Sequence, residues 1–182
     1  SRMIVQSKRA EVNAILTTSN TIIADNPNMN IRDSQITKQI ENQPALIILD
    51  SKLKISERAN IFKTKNRLII IITDIQNTKN IPVRTFKDNV VIKFVHTKNN
   101  RIQLEDIYDI ANTYNLNDIL VECGNTFARS LFEADAIDEI MYFIAPKIIG
   151  HTGYNFSGIN PVQKLSDKIS LKIREIETIE KD

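Results

Sequence analysis

"RLIIIITD" at residues 67–74 and "ALIILD" at residues 45–50 decide the fold. Each is a continuous β-branched or leucine run that stops at Asp, too short for a buried helix and without the polar alternation of a half-wet strand. Strands buried on both faces belong to a sheet covered by helices on each side. Working outward, "AILT" at 14–17, "NVVIKFV" at 89–95 and "DILVE" at 118–122 read as further strands. Between them "RMIVQSKRAEV" at 2–12 lacks Gly and Pro and reads as a helix. "QLEDIYDIANTYN" at 103–115 carries Leu104, Ile107, Ile110, Ala111 and Tyr114 at helical spacing. In 125–135, Phe127 and Leu131 stand four apart with Ala128 and Phe132 beside them, again a helix.

"EIMYFIA" at 139–145 is expected as a strand. "SLKIREIETI" at 170–179 alternates with period two, so a strand wet on one face and antiparallel to its neighbours is expected there. Alternating helices and strands give a three-layer α/β architecture, a mostly parallel sheet with an antiparallel C-terminal strand. No internal repeat or long linker divides the 182 residues, so a single domain is expected.

Composition narrows the function classes. The 24 basic and 22 acidic residues are mixed along the chain, and no block of like charge forms the basic face that nucleic-acid binding needs. A small phosphorylated ligand needs only one or two arginines and stays open. One cysteine, Cys123, and two histidines give no zinc spacing and no internal disulfide, which fits a reducing cytoplasm. His96 and His151 stand alone in polar stretches. The longest apolar run, at 68–73, is far short of the ~20 residues a membrane helix requires, so no membrane association is expected.

In open α/β sheets, ligands sit beyond the carboxyl ends of the strands. Two loops qualify, 17–27 and 122–126. In the second, Glu122-Cys123-Gly124 leads straight from strand to helix. An exposed helix N-terminus offers unpaired amides and about half a positive charge, the usual seat of a phosphate. Asn125 and Thr126 add side-chain donors and Arg129 lies in the next turn. The alternative reading makes Gly124 and Asn125 a plain helix cap and leaves Glu122 in solvent. In the first loop Ser19 or Asn20 is placed to cap a helical turn, and Asn26-Pro27-Asn28 forces a turn. Arg9, Thr21, Asp25, Asn26 and Arg32 gather around it: two arginines suit a phosphate, and an Asp can orient a hydroxyl or handle a proton. A solvated surface around an Asn/Pro turn is the competing reading.

Taken together, "AILTTSNTIIADNPNMNIR", "LIILDSKLKI" and "ILVECGNTFARSLFEADAIDEIMYFIAPKIIG" resemble the reductase domain of bacterial riboflavin biosynthesis, in order and over nearly the whole chain. The combination of A-D-x-P, E-x-G, D-E and I-A-P-K-x-x-G carries that resemblance. It implies a dihydrofolate-reductase-like fold. It also implies NADPH-dependent reduction of the ribosyl group of 5-amino-6-(5-phosphoribosylamino)uracil to the ribityl compound, without metal. Carried over position by position, Arg9, Met29, Arg32 and Glu122 would line this small phosphorylated aminouracil substrate, both arginines on or near its phosphate. Thr21, Asp25, Gly124, Asn125, Thr126, Phe127, Ala128, Arg129 and Ser130 would contact NADPH, and Asp25, between cofactor and substrate, is the candidate catalytic or orienting residue. A homodimer is expected, since relatives pair through sheet edges.

The resemblance also marks departures. Relatives have Gly or Ala at the position of Cys123, read here as a tolerated small residue. The deaminase zinc signature, H-x-E and P-C-x-x-C, is absent, so a deaminase is expected in cis upstream or as a separate chain. The K-x-A-x-S-x-D-G strand that opens the family's domain is missing, as is its last strand, which implies a truncated domain or part of a longer chain. Two other readings share the fold: a related pyrimidine or pterin reductase, and a non-catalytic dimerisation or interaction domain.

Overall fold

A computed structural model describes residues 2–79, 86, 88–148, 155, 157–159, 163–164, 166 and 168–179. His151 lies outside them. The chain divides into two compact units, one of Met3–Cys123 and the other of Gly124–Asp182 together with Ser1–Arg2.

The first unit opens with helix α1 (Arg2–Glu11), followed by β1 (Ala14–Thr18), α2 (Ser19–Asp25), a single turn α3 (Ser34–Thr37) and β2 (Ala45–Leu49). β3 (Ile69–Asp74), β4 (Val90–Val95), α4 (Leu104–Thr113) and β5 (Ile119–Val121) complete it. The five strands form one parallel sheet in the order β4-β3-β2-β1-β5. From β1 the chain steps outward through β2 and β3 to β4, then returns through α4 to lay β5 on the other side of β1. The strand order therefore reverses between β1 and β5, where the carboxyl ends of two parallel strands diverge into loops that lead apart.

The register explains the core. Ile15 pairs with Leu46, Leu46 with Ile69 and Ile69 with Val90; two residues on, Ile48, Ile71 and Ile92 follow. These side chains share one face by the period of two. They pack with Ile22 of α2, Met29, Leu53, Ile55, Ile61 and Phe62. Ala14, Leu16, Ala45, Ile47, Ile70 and Ile72, on the alternate positions, are equally buried, as are Ile107 and Ala111 on the inward stripe of α4. Both faces of β2 and β3 are thus covered, as their uninterrupted apolar runs require. Fully burying each such side chain contributes ~1.5–3 kcal/mol, so the Ile-rich centre is the stable part of the sheet.

The second unit holds α5 (Asn125–Glu133). Its first turn packs close to Gly158, whose φ of +64° is a left-handed conformation; a Cβ there would lie 2.4 Å from the Asn125 carbonyl oxygen.

The two C-terminal strands expected from sequence are not formed. Among the described residues, 139–145 and 170–179 have no regular secondary structure and enter no strand pairing. Alternation of apolar residues fixes which side chains share a face, but a strand also needs a neighbour's backbone groups, and here none is engaged. An exposed ion pair, Arg174 Nη1 to Glu139 Oε2 at 3.0 Å, links the two segments. The α2 cap also differs: Thr18, one residue earlier than expected, is the N-cap, its Oγ1 accepting from Thr21 N and lying 3.2 Å from Thr21 Oγ1.

Candidate active site

Glu122 is the residue that β5 delivers to the reversal of strand order. Its N–H donates to Leu16 O (2.9 Å) and its carbonyl accepts from Thr17 Oγ1 (2.7 Å), so both backbone groups are tied to β1 one residue past the end of β5. Thr17 is fully buried in the sheet. The Glu122 carboxylate then turns back to α1 and meets Arg9 in a bidentate pair, Nε to Oε1 and Nη2 to Oε2, both 2.7 Å. The two side chains are 12% and 24% exposed. This is the fork geometry that makes a guanidinium–carboxylate pair directional. Arg9 lies in the last turn of α1, where the helix dipole favours a cation.

Arg9 is further committed. Its Nη1 donates to Asn30 O at 2.9 Å, so three of its five N–H groups are used within the protein and two remain. It enters the site as half of a neutralised pair. Arg32, in contrast, is exposed and makes no side-chain hydrogen bond or ion pair among the described residues.

Residues 26–33 run between α2 and α3 and carry three of the candidate site residues, Asn26, Met29 and Arg32. Asn26 ends α2 in a left-handed conformation, φ 42°. Met29 is left-handed too, φ 47°, which is uncommon for any residue with a Cβ and held only by its surroundings. Met29 is 4% exposed and its side chain belongs to the core cluster. Asp25, the last residue of α2, is exposed.

The segment has no ladder or helix of its own, and side chains from elsewhere in the chain take up its polar groups. Asn60 N donates to Asn26 Oδ1 and Asn60 Nδ2 to Asn26 O, both 2.9 Å. Arg67 donates to Asn28 O (3.2 Å) and Met29 O (2.5 Å). Gln43 brackets Ile31, accepting from its N–H (2.7 Å) and donating to its carbonyl (2.9 Å). Gln6 Oε1 accepts from Arg32 N at 2.7 Å.

Sequence reasoning missed Gln6, Gln43, Asn60 and Arg67. Arg67 carried a readable signal: a charged residue at the mouth of a strand buried on both faces must find partners. It is 3% exposed, and burial together with Arg9 pushes its pKa down to about 9, offset in part by Glu122. The guanidinium is therefore still protonated at neutral pH.

In the second unit, Gly124 is the N-cap of α5 and contributes no side-chain bond. Its φ is −77°, and a Cβ added there would meet nothing within 4 Å, so neither backbone strain nor crowding calls for glycine. Among the described residues no side chain caps this nine-residue helix, and such an N-terminus suits an anionic group such as a cofactor diphosphate. Thr126 and Ser130 face along the helix, Ser130 Oγ donating to Thr126 O at 3.4 Å, and Thr126 Oγ1 lies 3.5 Å from Asn125 Oδ1. Arg129 pairs with Glu133 at 2.7 Å across one turn, and Phe127 and Ala128 are half-buried. Cys123 is half-buried and in no disulfide.

The model of the RibD C-terminal domain matches residues 1–182. The chain belongs to the RibD C-terminal domain family. It is a reductase domain of riboflavin biosynthesis with the dihydrofolate-reductase-like fold, as the sequence resemblance implied. The 5-amino-6-(5-phosphoribosylamino)uracil reductase of Buchnera aphidicola is 29% identical over 96% of this chain and 86% of that protein. The riboflavin biosynthesis protein RibD of Escherichia coli is 26% identical over the whole chain, but the chain spans only 50% of it. Among solved structures, Acinetobacter baumannii RibD superimposes with a TM-score of 0.75 at 20% identity, over 94% of this chain and 45% of that one.

Proposed function

We propose that the chain reduces the ribosyl group of 5-amino-6-(5-phosphoribosylamino)uracil to ribityl with NADPH, as one step in making riboflavin in the cytoplasm. The observation that carries the reading is the Arg9–Glu122 pair at the reversal of strand order, where an open α/β sheet binds its ligand. The Buchnera relative named for this reductase supports the choice of substrate.

Bound NADPH would supply a hydride to C1 of the sugar. Reduction there would break the C1–ring-oxygen bond, and that oxygen, which stays on C4, would take up one proton as a hydroxyl, so hydride plus proton balance the reduction. Glu122, held by Arg9 and by both its backbone bonds, accepts from the sugar hydroxyls. Arg32 holds the phosphate, while Arg9 adds its two remaining N–H groups. The backbone at Met29 faces the same substrate. Asp25 is placed in the orienting or proton-handling role. Thr21, Asp25 and residues 124–130 are assigned to NADPH by the resemblance, and Gly124 supports that assignment by keeping its Cβ position open.

In this reading the protein is a homodimer. Met141, Tyr142, Phe143 and Ile144, with Leu171, Ile173 and Ile176, expose more apolar surface than single scattered residues would. A deaminase acting before it lies upstream in cis or on another chain. The test is to mix protein, NADPH and the aminouracil phosphoribosyl substrate and follow NADPH absorbance. No consumption, with no NADPH binding by calorimetry, refutes the proposal. NADPH binding without turnover favours a regulatory nucleotide-binding domain, and turnover of a pterin in its place favours the related reductase.

A further inference from the structure

We propose that Arg67, which no resemblance singles out, is a positioning residue for the substrate side of the site, fixing the loop that carries Met29 and Arg32. The inference rests on the function proposed above.

Placing a charge at the mouth of a buried strand is costly. Arg67 is buried, yet both Arg9 and its own desolvation act against its charge. A buried ionic group is weak evidence for stability, since an apolar side chain of similar volume often does as well or better. Its Nε has no hydrogen-bond partner among the described residues. What the charge obtains is control of a backbone. Arg67 takes the carbonyls of Asn28 and Met29, and Arg9 takes the next one, that of Asn30. Three consecutive carbonyls are thus directed at two guanidinium groups, which turns the chain left-handed at Met29, φ 47°.

The other end of Arg9 is Glu122. A shift of the carbonyl row therefore moves the acceptor of Arg9 Nη1 and, through Arg9, the carboxylate proposed to meet the sugar. It also moves Arg32, three residues beyond Met29, whose backbone N–H is fixed by Gln6. Lysine cannot replace this function, because one ammonium on a flexible stem does not span two carbonyls in a fixed fork. The α2 side of the loop is held separately, by the Thr18 cap and by Asn60 on Asn26, so its Thr21 and Asp25 do not depend on Arg67.

Two variants, Arg67→Met and Arg67→Lys, test the inference by two measurements. The first is hydrogen exchange of the segment 26–33 against β2 and β3. The second is KM for the substrate, KM for NADPH, and kcat. Arg67→Met should speed exchange of 26–33 with β2 and β3 unchanged. It should also raise the substrate KM about tenfold or more, with the NADPH KM within about twofold and kcat within about threefold. Arg67→Lys should fall between it and the parent in both measurements. Unchanged exchange of 26–33 in Arg67→Met overturns the proposal. So does a parallel loss in kcat and both KM values that tracks the folded fraction, since that is a purely structural role. A parent protein that does not oxidise NADPH with this substrate refutes the proposed function instead. The exchange measurement then still decides whether Arg67 holds the loop.

Discussion

Replacing Glu122 by Gln removes the countercharge of Arg9 and keeps the shape of the side chain. Exposed ion pairs contribute ~0.2–1 kcal/mol, and breaking a buried one costs ~3–5 kcal/mol. With bidentate contacts of 2.7 Å and side chains 12% and 24% exposed, this pair lies nearer the buried limit, so Glu122→Gln should cost about 2–3 kcal/mol. The loss is sharpened by Arg67, whose positive charge faces the same carboxylate and would be left beside an unpaired Arg9. For a chain of this size that is a fall in Tm of roughly 5–10 °C. Arg9→Met should cost slightly more, because the Asn30 carbonyl loses its 2.9 Å donor as well and keeps only Gln6 Nε2 at 3.4 Å. The decisive measurement is the double-mutant cycle by urea unfolding at neutral pH. The double variant should be less destabilised than the sum of the singles by about 2 kcal/mol. A coupling below about 0.5 kcal/mol would mean that the pair is a solvent-screened rim contact, and the claim that Arg9 orients Glu122 would fail with it.

Arg32→Ala should leave Tm within about 1 °C, since the side chain is exposed and without a side-chain partner among the described residues, yet raise the substrate KM by about 10–100-fold, the loss of charge-assisted hydrogen bonds; a dephosphorylated substrate should show no difference between variant and parent. The two glycines should behave oppositely in thermal melts and NADPH titrations. Gly158→Ala, with its clash at the Asn125 carbonyl, should destabilise by about 2 kcal/mol or more, whereas Gly124→Ala should change stability by less than about 0.5 kcal/mol and weaken NADPH. Asp74 accepts from the Thr97 hydroxyl and from Gln76 N, and these bonds hold its carboxyl below the usual range. A depressed folded-state value adds stability above the ordinary carboxylate pKa, roughly 3.9, and that stability is lost as pH falls through the folded value. The difference in stability between the parent and Asp74→Asn should therefore be present at pH 6 and vanish in strong acid.

The sheet was legible because its strands announce themselves locally. Isoleucine runs stopping at Asp50 and Asp74 need no knowledge of their neighbours, the helices α4 and α5 follow from apolar spacing, and α1 from a run without Gly or Pro. The strand pattern at 139–145 and 170–179 was equally clear in sequence, but pairing is a relation between two backbones and is not written in either one. At the site, Glu122 and Arg9 were found as separate residues 113 positions apart, and nothing in their spacing says that they meet. Arg9 and Arg32 were expected at a phosphate together; Arg9 gives three of its five N–H groups to Glu122 and Asn30, while Arg32 is exposed. Arg67 was passed over although its type was a signal: reading it as the first residue of a strand accounts for its position and leaves its side chain unexplained.

Residues 26–33 are shaped from outside. Gln6 and Arg9 come from α1, Gln43 and Arg67 from the approaches to β2 and β3, and Asn60 from the start of a short 3-10 helix, and together they do what a ladder does for a strand. Such a loop is not a portable module. Grafted onto another sheet without those five side chains, the same eight residues would carry their letters but not their form. Within this chain, insertions elsewhere that shift any of these five side chains would be felt at Met29 before they were felt in the core.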